Sequence, residues 1–152
     1  MTAPTTNVKD ILLAVPGTAV FAKPSTAPVD TWGLFIGKQP DDNSGIFDRS
    51  ITLYDTGGAS PLPHLALDYP HVMINVRGKP EQYTATREKA VALKNILLGL
   101  PSRDINGDRI VSVTLNGDIN FVGYDDRNRP EFTLNFRLIV EPDATGSNRQ
   151  PL

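Results

Sequence analysis

The side chains able to do chemistry are few and scattered. Two histidines, His64 and His71, stand seven residues apart, one in a proline-rich stretch and one opening an alternating apolar run. Imidazole serves as a metal ligand or general base. No third ligand lies at metal-site spacing, however, so both read as polar loop and strand-edge residues. Asp104-Ile105-Asn106-Gly107-Asp108 has the oxygen-rich opening of a calcium loop. Its glycine comes too early and no glutamate occupies the twelfth position, so an acidic turn before a strand accounts for it. Asp41–Asp42–Asn43 is likewise a turn cluster. Asp125–Asp126 offers two carboxylates, the kit of acid–base hydrolysis, but adjacent side chains in a hairpin loop diverge. Gly57–Gly58 follows a strand without a helix N-terminus behind it to hold phosphate. No nucleophile elbow, P-loop or dinucleotide fingerprint is present. The expectation is no catalytic residue, no cofactor and no metal.

Composition agrees. The chain has 152 residues and no cysteine, which excludes a disulfide framework, thiolate catalysis and cysteine-built metal sites. Fifteen basic against seventeen acidic side chains leave a formal charge of −2, with no basic excess to attract nucleic acid. The longest apolar run, Ile11 to Val15, is too short to span a bilayer and has no basic segment before it, so neither membrane nor secretory signal is expected.

Thirteen prolines and twelve glycines, spread along the chain, cut it into short pieces. Val8, Ile11, Leu12 and Val15 build the apolar stripe of a short helix, capped by Thr6 or Asn7 and ended by Pro16–Gly17. Ala19 to Ala22 and Trp32 to Ile36 read as short strands, and residues 38 to 50 as a polar loop. Ile51 to Tyr54 form a strand stopped by Gly57–Gly58, and Ala59 to Pro70 an irregular excursion. Val72, Ile74 and Val76 alternate with polar residues in a half-buried strand. From Glu81 to Leu98 no glycine or proline interrupts a helical pattern through Tyr83, Arg87, Ala90, Val91, Lys94, Leu97 and Leu98, before Gly99 and Pro101 end it.

Val111, Val113 and Leu115 alternate up to Asn116–Gly117, the dipeptide of a type I′ hairpin. Ile119 to Tyr124 then returns, Asp125 to Pro130 forms a charged loop, and Phe132 to Val140 alternates again. This reads as a three-strand meander whose apolar face the long helix covers. The fold class is therefore α+β, mainly antiparallel, with one long helix and one short N-terminal helix. It forms a single domain over residues 1–141, followed by a polar, flexible tail over 142–152. Trp32 and Phe35 point to a buried strand. Arg77, Arg127, Arg129 and Arg137 fall on strands or tight loops, where arginine often serves an interface.

The order of these landmarks carries a resemblance. The N-terminal amphipathic helix is followed by Ile51-Thr52-Leu53-Tyr54-Asp55-Thr56-Gly57-Gly58 and by Tyr69-Pro70-His71-Val72-Met73-Ile74-Asn75-Val76-Arg77-Gly78. A helix with Ala90 and Leu97 precedes Gly123-Tyr124-Asp125-Asp126-Arg127-Asn128-Arg129-Pro130-Glu131-Phe132-Thr133-Leu134-Asn135-Phe136. Over residues 6 to 141 this succession resembles the tail terminator (minor capsid, tail completion) proteins of long-tailed bacteriophages.

The resemblance implies a non-enzymatic virion subunit, assembled in the host cytoplasm as a hexameric ring on the head-proximal end of the tail. Its partners would be other copies of itself, the tail tube protein and a head-completion or neck protein. DNA would pass through the lumen without specific binding. From their expected exposure in turns and at strand ends, rather than from the resemblance, contacts are placed at Gly57, Gly58, Arg77, Asp125, Asp126, Arg127 and Arg129. The competing readings are a neck ring protein, a small metal-dependent hydrolase built on His64, His71 and the Asp104–Asp108 turn, and a monomeric ligand-binding domain.

Overall fold

The computed structural model describes residues 2–21, 31–40, 48–62, 65–143, 145–146 and 148. Among these, two helices lie on one mostly antiparallel, curled eight-stranded sheet. The elements are α1 (Pro4–Leu13), β1 (Val20–Phe21), β2 (Gly33–Ile36), β3 (Ser50–Leu62), β4 (Leu67–Arg77), α2 (Tyr83–Leu97), β5 (Arg103–Ile105), β6 (Asp108–Leu115), β7 (Asn120–Tyr124) and β8 (Pro130–Glu141). The strand order is β1-β2-β3-β4-β8-β6-β5, with β7 also on β8. The β1–β2 and β2–β3 pairs are parallel and the others antiparallel.

Alternation decides which face is covered. Phe132, Leu134 and Phe136 of β8 stand opposite Val76, Ile74 and Val72 of β4, and Val76 and Ile74 of β4 stand in turn opposite Ile51 and Leu53 of β3. All are buried in one core with Val8, Ile11 and Leu12 of α1 and Ala90, Leu93 and Leu97 of α2. Each such Val, Leu, Ile or Phe side chain contributes about 1.5–3 kcal/mol. Both helices are too short to persist alone and exist because this face needs a cover.

The helices depart from expectation at their ends. Neither Thr6 nor Asn7 caps α1. The helix starts at Pro4, whose missing N–H costs nothing in the first turn. Its orphan donors find Asp55 of β3 instead, whose carboxylate accepts Thr5 N–H at 3.2 Å and Thr5 Oγ1–H at 3.0 Å. In α2 the buried stripe is Thr86, Ala90, Leu93 and Leu97, while Arg87 and Leu98 face solvent. The helix begins at Tyr83 because Glu81 takes a positive φ of 62° and donates its N–H to Asn128 O.

Three strand expectations are corrected. Gly57–Gly58 does not end β3; the strand continues to Leu62. The glycines absorb a register shift, with Asp55 opposite Val72 and Gly58 opposite Pro70, which is a β-bulge. Ala59 to Pro70 is accordingly no irregular excursion. Its described residues form a β-hairpin arm, with Ala59 opposite Tyr69 and Leu62 opposite Leu67, whose β3 side from Asp55 to Leu62 is exposed. Gly58 has φ 132°, and a β-carbon there would overlap the Tyr69 carbonyl oxygen. Gly58→Ala is therefore expected to cost about 2 kcal/mol, read as a lower denaturant midpoint at unchanged slope.

The meander is also absent. Among the described residues β6 and β7 do not pair with each other; both run antiparallel to β8. Leu115 stands opposite Phe136 and Asn120 opposite Thr133, so residues 116–119 bulge out of one continuing path rather than reversing it. The type I′ signature belongs instead to Asn106–Gly107, with φ 50° and 84°, which joins β5 to β6 with Ile105 opposite Asp108. The packed chain reaches slightly past residue 141, since Pro142 is buried and Asp143 N–H bonds Asp108 Oδ1.

Candidate functional site

The residues singled out in sequence gather in two places. The first is the β7–β8 hairpin tip. Asp125 N–H donates to Arg129 O, Asn128 N–H donates to Asp125 O, and Asn128 supplies the positive φ of 58° that the turn needs. Asp125 Oδ1 accepts the N–H groups of Arg127 at 2.9 Å and Arg129 at 3.0 Å, and Oδ2 accepts Arg129 Nε at 2.7 Å. Arg129 Nη1 reaches Asp48 Oδ1 at 3.0 Å. Beside it, Arg77 donates from Nε to Asp48 O at 3.2 Å and from Nη1 to Pro40 O at 3.0 Å.

The exposure expected for Arg77 and Arg129 is thus corrected: they are 3% and 7% exposed. Their planar forks are used inside the subunit, fastening Pro40 and Asp48 to the end of β4 and the hairpin. Of the expected contact residues at the tip, Asp126 and Arg127 stand out into solvent, while Asp125 is half-buried. Burial, and then the like charge of Arg129, hold the Arg77 pKa below its ordinary value. Burial alone would raise the Asp125 pKa, but the Arg129 and Arg127 donors outweigh it and leave the carboxyl below the usual aspartate range.

A group with a lowered folded-state pKa adds stability that is complete above the unfolded value, about 3.9. That stability is lost as pH falls through the lower folded value. Asp125→Asn is therefore expected to be less stable than the parent at neutral pH. The gap between the two should close as pH falls below about 4, followed by thermal melts across the acid range.

The second place is the Gly57–Gly58 bulge, where both glycines are exposed at the base of the arm. The two places lie apart, on β3 and on the β7–β8 turn.

The chemistry-bearing candidates do not converge. His71 is half-buried on the sheet face away from the helices, beside Tyr69, Thr114 and Arg137 around a cavity of about 420 Å³. His64 lies outside the described residues, as do Asp41–Asp42–Asn43. Asp104 is exposed on β5, whereas Asp108 is fully buried and points at the N-terminal segment. No cluster of three or more His, Cys, Asp or Glu able to hold a metal occurs among the described residues. Trp32 packs half-buried against the core, with Arg49 and Lys89 each 5.6 Å from its ring centre. Sequence reasoning missed the exposed aromatic and aliphatic side chains of β7, Phe121, Val122 and Tyr124. Their run of three large residues around Gly123 was the available signal.

Comparison with known proteins decides what this arrangement belongs to. The profile of the bacteriophage tail terminator protein family matches residues 9–142. The chain belongs to the bacteriophage tail terminator family. It is a structural component of a phage tail and not an enzyme. A comparison with curated protein sequences finds no match. Among solved structures, the chain is similar to a chain of the virion of a native gene transfer agent particle, at a TM-score of 0.60 and 17% identity. That match covers 91% of this tail terminator and 94% of the other chain. At such identity the likeness shows a shared fold. As a virion component, the tail terminator assembles with other virion proteins.

Proposed function

We propose that this tail terminator closes into a ring of six on the head-proximal end of the tail tube. There it stops further tube subunits from adding and presents the surface that joins the head. The family match over residues 9–142 carries this reading. Closed rings form by head-to-tail contacts, so each subunit needs two different, complementary patches. One ring face copies the docking surface of a tube subunit and the other does not, which ends growth.

The exposed Gly57 and Gly58 and the exposed Asp126 and Arg127 are placed in these contacts. Arg77, Asp125 and Arg129 act from behind, holding the tip and the segment around Asp48 in position. DNA passes through the lumen without being gripped, in keeping with a formal charge of −2.

Light scattering on a size-exclusion column, over a wide range of protein concentration and salt, tests the ring. The expected result is six times the 16.6 kDa subunit mass, or a monomer moving towards it with concentration, and arrest of tube polymerisation when added to growing tubes. A chain that stays monomeric at every concentration and leaves tube growth unchanged would overturn the reading.

A further inference from the structure

We infer that neighbouring subunits join by strand addition, the open edge of β7 pairing with the open outer edge of the β3 arm on a second copy. The inference rests on the ring proposed above. A sheet edge left with unpaired N–H and C=O groups recruits another strand unless it is short, charged or covered. Two edges here are protected. The β5 strand is three residues long and carries Arg103 and Asp104, and the two-residue β1 has Lys9 4.8 Å from the Phe21 ring centre.

Among the described residues the outer edges of β7 and of the arm are neither charged nor covered by a paired strand, although each carries a register shift and the arm includes Pro61. The β7 strand, Asn120–Tyr124, has no charged side chain and leaves Val122 54% and Tyr124 52% exposed. On the arm, Thr56 to Leu62 is likewise uncharged, and β2 pairs only with residues 50–53 of β3. Leu62 is 44% and the neighbouring Leu65 59% exposed at the arm's end.

Position and direction make a second copy the occupant. The arm and β7 lie on opposite edges of the same sheet, so a contact between them is heterologous and propagates rather than stopping at a dimer. Successive antiparallel pairing through β3, β4, β8 and β7 makes β3 and β7 run in opposite directions. Repeating the subunit about a ring axis that all strands cross at one common tilt therefore sets β7 antiparallel to the next β3.

The two edges are staggered. Thr133, opposite Asn120, and Val140, opposite Asp68, are seven residues apart along β8. That is about 23 Å along the strand against a four-strand width of about 19 Å. The implied strand tilt, about 50°, is close to the 35–45° at which closed sheets settle.

The chain has no cysteine, so introduced thiols report only this contact. Val122→Cys and Ser60→Cys are made singly and together, both at exposed positions, and treated with a short bismaleimide at concentrations where light scattering detects assembly. The double variant is expected to give a ladder of crosslinked species ending in one closed form. The two single variants, mixed, should give only a one-to-one dimer. Homodimers of either single variant, or assembly of the double variant without crosslinks, would overturn the edge contact and leave the ring reading standing. A wild-type chain that never assembles, with or without tail tubes, would remove the ring reading and this contact with it.

Discussion

Arg129→Ala is expected to lower the unfolding free energy by about 3 kcal/mol, a fall in melting temperature on the order of 6–12 °C for a chain of this length. The size follows from what remains after truncation. Asp48 and Asp125 both bond the guanidinium, and their side chains are 16% and 21% exposed in the intact network. Removing one partner of a buried ion pair leaves the other desolvated and uncompensated, which is where the usual 3–5 kcal/mol arises. The lower end applies because Asp125 keeps the backbone N–H of Arg127, and because Arg77 loses a neighbouring like charge.

Arg129→Lys keeps the charge but not the fork, so it is expected to recover only part of the loss, leaving a deficit of about 1–2 kcal/mol. Chemical denaturation of Arg129→Ala, Asp48→Asn and their double variant completes the test. Strict additivity across that cycle would contradict the network, since bonded partners should couple by more than about 0.5 kcal/mol. At temperatures where the variant stays folded, weakened ring assembly would further tie the held tip to subunit contact.

Arg77, Asp125 and Arg129 of this network were visible in the sequence; their partner Asp48 and their burial were not. Arginine in a tight loop reads as surface unless something covers it, and the cover for Arg77 and Arg129 comes from Pro40 and Asp48 on a distant segment. Local alternation, by contrast, needs no distant information. Val72–Ile74–Val76 and Phe132 to Val140 declared a buried face by period two, and the structure sets the two runs side by side.

The two Asn-Gly pairs show the boundary between these cases. Both sit between strands and both satisfy turn chemistry. Only Asn106–Gly107 reverses the chain, because β8 is long enough to pair with β6 and β7 one after the other. The choice is made by the partner strand, some twenty residues further on, and no turn propensity contains it. Gly57–Gly58 misleads in the same way. A glycine pair after a strand signals a stop, yet with β4 alongside it becomes a bulge, and the strand runs on into the arm.

Asp108→Ala carries the second large effect, an expected loss of about 3 kcal/mol, from the last residue of the Asp104–Asp108 stretch that the sequence reads as an acidic turn rather than a calcium loop. Its carboxylate is fully buried and collects donors from three separate parts of the chain. These are Thr2 N–H at 2.9 Å, Asn7 Nδ2 at 3.2 Å and Asp143 N–H at 2.9 Å. Asn106 reinforces the knot by donating to Asn7 Oδ1 and Asp10 Oδ2. Hydrogen bonds to an ionised group contribute about 1.5–3 kcal/mol each. The three bond the two oxygens of one carboxylate and are lost in one truncation, so their loss is not additive.

Asp108→Asn is the informative companion. It keeps the shape and one acceptor oxygen but sets an N–H₂ group against a donor, so it should lose about 1–2 kcal/mol. Hydrogen exchange should locate the damage: faster exchange at Thr2, Asn7 and Asp143, with the β4–β8 amides changed only by the global loss. Calcium should leave the melting temperature of the parent chain unmoved. A calcium-dependent rise that Asp108→Ala abolishes would instead make the turn a metal site and sink the structural role argued for it.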